Sequence, residues 1–171
     1  MSEILEIGKR VLELEGNELL RHSNLLDDKF ENALKMLYSC KGKVIVTGVG
    51  KSGHIGAKIA ATMASTGTPS FFLHPTEALH GDLGMVQKSD VILAISFSGE
   101  SDELIKIMPH LKRFGVQIIS MTAKFSSSLA KFSDEIISLD IIKEACPLGA
   151  APTVSTTLTL ALGDALAICL M

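Results

Sequence analysis

The sequence predicts an α/β fold, a three-layer αβα sandwich built on a five-stranded parallel sheet and of the flavodoxin or Rossmann-like kind. Two observations carry this. Five short apolar runs alternate with segments of helical periodicity across the 171 residues. The runs are apolar throughout instead of alternating apolar with polar, as expected of strands covered on both faces by crossover helices.

Residues 3–22 place Ile4, Ile7, Val11, Leu14 and Leu19 close to helical spacing, and residues 29–40 repeat the pattern. Two helices therefore precede the first strand, as packing and oligomerisation elements over residues 3–40 of a single domain spanning 1–171. Residues 43–47 (KVIVT) form a β-branched strand stopped by Gly48, and residues 55–65 read as an alanine-rich helix. Strands follow at 70–73, 91–96 (VILAIS), 116–122 and 135–139, with helices at 103–114 and 126–132. Residues 143–152 (KEACPLGAAP) are the longest irregular stretch, and 155–171 close the chain as an apolar helix. Right-handed crossovers put every strand-to-helix loop on one edge of the sheet, where open α/β sheets bind ligands.

Composition narrows the partners. Hydrophobic residues make up 47% and charged residues 20%, which is globular, and the mean hydropathy of +0.35 leaves apolar surface for subunit contacts. A homo-oligomer, with a tetramer as its expected form, follows from that surface together with the resemblance below. A net charge of -3, no basic run, one Tyr and no Trp argue against nucleic acid. The start MSEILEIGKR lacks the character of a secretory signal, and Asp164 interrupts the last apolar stretch, so neither a membrane span nor export is expected and the location reads as cytoplasmic. Cys40, Cys146 and Cys169 lie far apart without metal-ligand spacing and read as reduced thiols.

Two loops carry chemistry. The first strand runs into TGVGKSGHIG at 47–56, where Ile45 occupies the position a Walker A loop reserves for glycine and His54 the place of a small residue in a dinucleotide fingerprint. What remains is either a glycine turn into a helix or an anion site using backbone N–H groups, Lys51 and Ser52. The third strand ends in SFSGESDE at 96–103, where Ser96, Ser98, Gly99 and Ser101 surround a turn into a helix. Ser101 alone reads as a helix cap. Hydroxyls flanking a glycine at a helix N-terminus also suit a phosphomonoester, and two such loops after parallel strands point to one phosphate between them.

Residues 96–101 match S-x-S-G-x-[ST], the phosphate loop of the sugar isomerase (SIS) family, which the chain resembles. More specific are GKSGHIG at 50–56, ASTGTPSFFLHP at 64–75, HGDLGMV at 80–86, SGESDE at 98–103, KEACPLG at 143–149 and APT at 151–153. Together they resemble the arabinose-5-phosphate isomerases of that family, which supply Kdo precursors for lipopolysaccharide or capsule. The resemblance implies interconversion of ribulose 5-phosphate and arabinose 5-phosphate. It places Lys51, His80, Glu103 and Glu144 on catalytic positions and His74 on a zinc-binding one, with zinc optional or inhibitory and no cofactor required. Gly50, Gly67, Thr68, His80 and Thr153 fall in the matched stretches and are expected at the sugar. Members of the family continue through a Ser-His-Pro-Gly-Gly segment and commonly a pair of CBS modules, so over these 171 residues the expectation is binding with slow turnover.

Moving a proton between C1 and C2 through an enediol needs a base, an acid and a stabiliser of negative charge. Glu144, beside Cys146, Pro147 and Leu148, is the expected base, its pKa raised by burial. Glu103 is a second acid/base candidate or an ordinary carboxylate at a helix N-terminus. His80 is an acid or oxygen contact in a loop, or a packed structural histidine. Lys51 binds phosphate, stabilises the enediolate, or is solvated. His74 and His80, both expected outside regular structure, are two imidazoles without a third ligand. Two alternatives stand beside the isomerase: a non-catalytic phosphosugar sensor, and an isomerase of another phosphosugar such as a hexulose 6-phosphate.

Overall fold

The computed structural model describes residues 2–171. Its sheet has five parallel strands in the order β2-β1-β3-β4-β5: β1 (Val44–Gly48), β2 (Ser70–Phe72), β3 (Val91–Ile95), β4 (Gln117–Thr122) and β5 (Glu135–Ser138). The predicted class and strand count hold. Strand periodicity sorts the core into two layers. Val44, Val46, Val91, Leu93, Ile95, Ile119 and Met121 face one way, while Ile45, Ile92, Ala94 and Ile118 face the other.

The first face is covered by α2 (Asp28–Ser39), α3 (Gly50–Ser65) and α7 (Val154–Cys169), through Leu37, Ile59, Met63, Leu158, Leu162 and Leu166. The second is covered by α4 (Pro75–Leu79), α5 (Asp102–Phe114) and α6 (Ser128–Phe132), through Ala78, Leu104, Ile107, Met108, Leu111 and Leu129. The outermost helix, α1 (Glu3–Ser23), packs on α7. Helices α3 and α7 cross closely because Gly163 has no side chain: a Cβ there would stand 2.4 Å from Ile59 side-chain atoms. Asp164, out of place in an apolar helix by sequence, faces the partner that accounts for it, since its carboxylate accepts from Lys58 Nζ on α3 at 2.6 Å.

Three local expectations are corrected. Helix α3 begins at Gly50, five residues before the predicted start, so Lys51 and Ser52 occupy its first turn instead of a loop. Residues 75–79 form a short helix where a loop was expected: Pro75 at its first turn has no N–H to lose, and the His74 ring caps it by accepting from Thr76 N–H at 3.2 Å. His74 and His80 are thus its two caps. Helix α7 ends at Cys169.

Candidate functional site

The strand order reverses between β1 and β3, and the crevice outside their carboxyl ends is the place where a doubly wound sheet opens a ligand site. A cavity of about 350 Å³ lies there. Lys51 and Ser52 from α3, Ser96, Ser98 and Ser101 from the β3–α5 loop, and Glu144 line it, joined by Ser155, Thr156 and Thr159 of α7.

The serine loop is fixed before any ligand arrives. Ser96 Oγ accepts from Gly99 N–H at 3.1 Å and shares a 2.9 Å hydrogen bond with Ser101 Oγ. Ser101 stands at the N-cap position of α5, yet its hydroxyl does not cap; it turns toward Ser96 and the cavity. The capping reading is therefore replaced by one in which the hydroxyl and the first-turn N–H groups of α5 remain open to an anion. Gly99 makes the turn at φ 68°, its N–H inward and its carbonyl accepting from Leu129 N–H at 3.0 Å. Outside the turn, the Glu100 carboxylate accepts from Ser128 N–H at 2.8 Å, and hydrogen bonding from the Ser128 hydroxyl, with that N–H, holds it below the usual carboxylate range.

Helix α3 enters in the same manner. Val49 stands at its N-cap position and supplies no side-chain cap, so the first-turn amides are free to meet an anion beside the Ser52 hydroxyl and the Lys51 side chain. The N-terminus of α7, by contrast, is already filled. Glu144 Oε2 accepts from Thr153 N–H at 2.8 Å, Thr153 Oγ1 at 3.1 Å and Ser155 N–H at 3.3 Å, while Oε1 accepts from Ser155 Oγ. Three helix N-termini thus lie around the cavity's residues. Two are uncapped and the third is capped by a carboxylate from its own preceding loop.

This overturns the expected direction of the Glu144 pKa. Burial does push the carboxyl up, but the Ser155 hydroxyl, the Thr153 and Ser155 N–H groups and the Thr153 hydroxyl together outweigh it and leave Glu144 below the usual carboxylate range. The sign follows from linkage: a carboxylate depressed on folding stabilises the fold fully above its unfolded pKa, about 4.3, and the gain is lost as pH falls through the lower folded value. Thermal unfolding of the parent is therefore expected to weaken more steeply below about pH 4.5 than that of Glu144→Gln. Parallel pH profiles for the two would show that the four donors do not hold the charge.

The remaining candidates lie apart from this cavity in the chain. Glu103 is exposed in the first turn of α5 and His80 is exposed at the end of α4. Gly67 and Thr68 belong to the turn after α3, and Gly50 opens that helix; Thr153 reaches the site through Glu144. Among the described residues no group of three or more His, Cys, Asp or Glu is placed to hold a metal ion. His74 commits Nδ1 to Thr76, which leaves Nε2 as the nitrogen a zinc ion would take.

Ser155, Thr156 and Thr159 escape a reading of the sequence. Their signal is present as hydroxyls spaced i, i+1, i+4 on one side of an otherwise apolar helix, but apolar periodicity assigns that helix to the core. In the loop before α7, the Ala151, Leu148, Ala150 and Gly149 N–H groups turn toward Cys146 and hold that thiol below its usual range.

Residues 36–169 match the SIS domain. Arabinose 5-phosphate isomerase KdsD of Escherichia coli K12 is 53% identical over 166 residues, covering 97% of this chain and 51% of the relative. Arabinose 5-phosphate isomerase KpsF of Escherichia coli is 51% identical over 164 residues, covering 95% of this chain and 52% of the relative. The chain thus spans about half the length of the curated relatives it matches. An Escherichia coli CFT073 protein solved in complex with arabinose 5-phosphate superposes with a TM-score of 0.95 at 45% identity, covering 99% of this chain and 92% of that one.

Proposed function

The chain belongs to the SIS domain family, and from that premise we propose that it is the isomerase module of an arabinose-5-phosphate isomerase, interconverting ribulose 5-phosphate and arabinose 5-phosphate. One observation carries the reading. The serine loop, the open N-terminus of α3 with Lys51, and Glu144 all border a single cavity at the switch point of the sheet. The relatives named for this activity, and the structural neighbour holding arabinose 5-phosphate, supply the choice of sugar.

In this reading the phosphate lies against Ser98, Ser101, Ser52 and the first-turn amides of α3 and α5, while Lys51 offsets charge on the phosphate or the enediolate. Glu144 takes the proton from C1 or C2 and returns it to the other carbon. The atom that does so is Oε1, because Oε2 already accepts three hydrogen bonds and Oε1 only one. His80 and Glu103 are exposed and do not line their own chain's cavity, and they are proposed to serve a neighbouring subunit's site. A homotetramer fits this arrangement, since Ile4 is 80% and Leu12 72% exposed on α1 and Ile168 and Met171 are exposed at the other end of the chain. No helix among the described residues is long and apolar enough to cross a membrane, and a cytoplasmic location is proposed with the three free cysteines as its support.

Ribulose 5-phosphate is expected to stabilise the fold by about 2.7 kcal/mol at a hundredfold excess over Kd, raising the unfolding temperature, while unphosphorylated ribulose does not. Ser98→Ala/Ser101→Ala is expected to abolish the shift. Equal shifts for the two sugars would reject the phosphate site. Product formation from a panel including a hexulose 6-phosphate then identifies the reaction. Binding without turnover of any of them would support the phosphosugar sensor, a reading favoured by the four donors already engaging Glu144.

A further inference from the structure

Away from the cavity, the C-terminal turn of α1 carries a cluster of charges that the proposed chemistry does not use. Glu18 is 5% exposed and His22 6% exposed. Arg21 Nε donates to Glu18 Oε1 at 2.7 Å, and His22 Nε2 lies 3.5 Å from the same oxygen. The buried Glu18 carboxylate is offset by Arg21, whose side chain stays 28% exposed, and apolar residues of similar volume at Glu18 and His22 would dock a helix as well. A stability role alone therefore accounts poorly for the cluster.

The group it grips is informative. His22 Nε2 stands 2.6 Å from the backbone carbonyl of Asp140, which as an acceptor requires the proton on Nε2, and Arg21 Nη2 donates to the same carbonyl. Asp140 is separated by more than a hundred residues from both donors, and it heads the segment that runs through Glu144 to the start of α7. Beyond Asp140 that segment is held largely by itself: Gly149 N–H donates to Cys146 C=O, and Ala145 N–H donates to Thr153 Oγ1 at the far end. The near end is thus held from two sides, by the sheet through Leu139 N–H to Thr122 C=O and Asp140 N–H to Ser138 Oγ, and by the α1 cluster at the Asp140 carbonyl, while the α7 N-terminus holds the far end and the Glu144 carboxylate.

We propose that Arg21 and His22, with Glu18 orienting Arg21, are positioning residues for the catalytic loop: they clamp the Asp140 carbonyl and thereby set where the Glu144 carboxylate stands in the cavity. The proposal rests on the isomerase reading for its kinetic consequence but not for its structural one. Misplacement of a reacting group by even an ångström is costly in rate while leaving phosphate binding intact. The clamp also reaches the site through backbone, so a side chain that keeps one donor in the place of His22 Nε2 suffices.

Variants of the full chain test it. His22→Leu fills the volume without a donor, and His22→Gln keeps an N–H for the Asp140 carbonyl. In His22→Leu, amide hydrogen exchange over residues 141–150 is expected to rise ~10-fold or more while the sheet and α5 keep parental protection. Turnover of ribulose 5-phosphate falls ~10-fold or more with KM little changed, and His22→Gln restores both toward parent. Unchanged exchange over 141–150 in His22→Leu and in the double variant Arg21→Leu/His22→Leu overturns the proposal. So does a rise spread evenly over the whole chain, which would mark an ordinary loss of stability. Should the parent turn over no phosphosugar, the isomerase reading fails by itself, and exchange over 141–150 still decides whether the clamp orders the loop.

Discussion

Glu144→Gln is expected to lower kcat for ribulose 5-phosphate by at least ~100-fold, with KM changed by less than about threefold. The amide is the sharpest replacement because of how Glu144 is held. Its carbonyl oxygen still accepts from Thr153 and Ser155 N–H, so the start of α7 keeps its cap, while the group able to take a carbon-bound proton is gone. Exchange of the substrate C1 or C2 hydrogen with solvent should fall in parallel with turnover. The low pKa of Glu144 shapes what an active parent looks like: the base is ionised throughout the neutral range, so the acid side of the rate profile lies below the ordinary carboxylate pKa. Ser155→Ala removes one donor and moves that limb upward. If Glu144→Gln retains near-parental turnover, Glu144 is a helix cap alone and the base is Glu103, reached from another subunit.

Gly99→Ala is expected to cost the most stability of any single methyl added to the site. At φ 68° the residue sits in the left-handed region, which costs an L-residue about 1–2 kcal/mol. The added Cβ would also fall 2.1 Å from Ser127 Oγ and 2.4 Å from Ser127 Cβ, and Ser127 is buried and caps α6 through Ala130 N–H. Neither side of that contact can retreat. A total loss of about 3 kcal/mol lowers Tm by roughly 6–12 °C for a chain of this size. The ribulose 5-phosphate shift is lost as well, because the turn sets both the Gly99 N–H and the Ser96–Ser101 pair. A Tm within about 2 °C of the parent, under 1 kcal/mol on the same scale, would show that the turn relaxes and is not the rigid cradle described.

The elements most readable in the sequence are those whose signal is local. Val91 to Ile95 is apolar at every position because it is central and covered on both faces, and no other element type explains a run so short. The serine loop is readable because hydroxyls and a glycine cluster within six residues. What escapes depends on partners distant in sequence. Helix α3 starts early because Gly50, Lys51 and Ser52 need no apolar contacts in their first turn, so periodicity registers only from Ile55. The direction of the Glu144 pKa is misleading in sequence because its apolar neighbours are visible there while its donors, Thr153 and Ser155, stand at the start of the next helix. Arg21 and His22 look like ordinary basic residues closing a helix, and only folding shows Asp140 beneath them.

The two rims of the sheet differ in what they offer another molecule. On one side α2 packs against β5, and on the other β2 presents just three residues, preceded by Pro69, as an open row of backbone donors and acceptors. So short a border gives a visiting strand too few bonds to template growth, and fibrillar stacking through it is disfavoured. In the proposed oligomer, contact is thereby left to side chains on helices, where shape and register can be selected and a closed assembly can end instead of propagating.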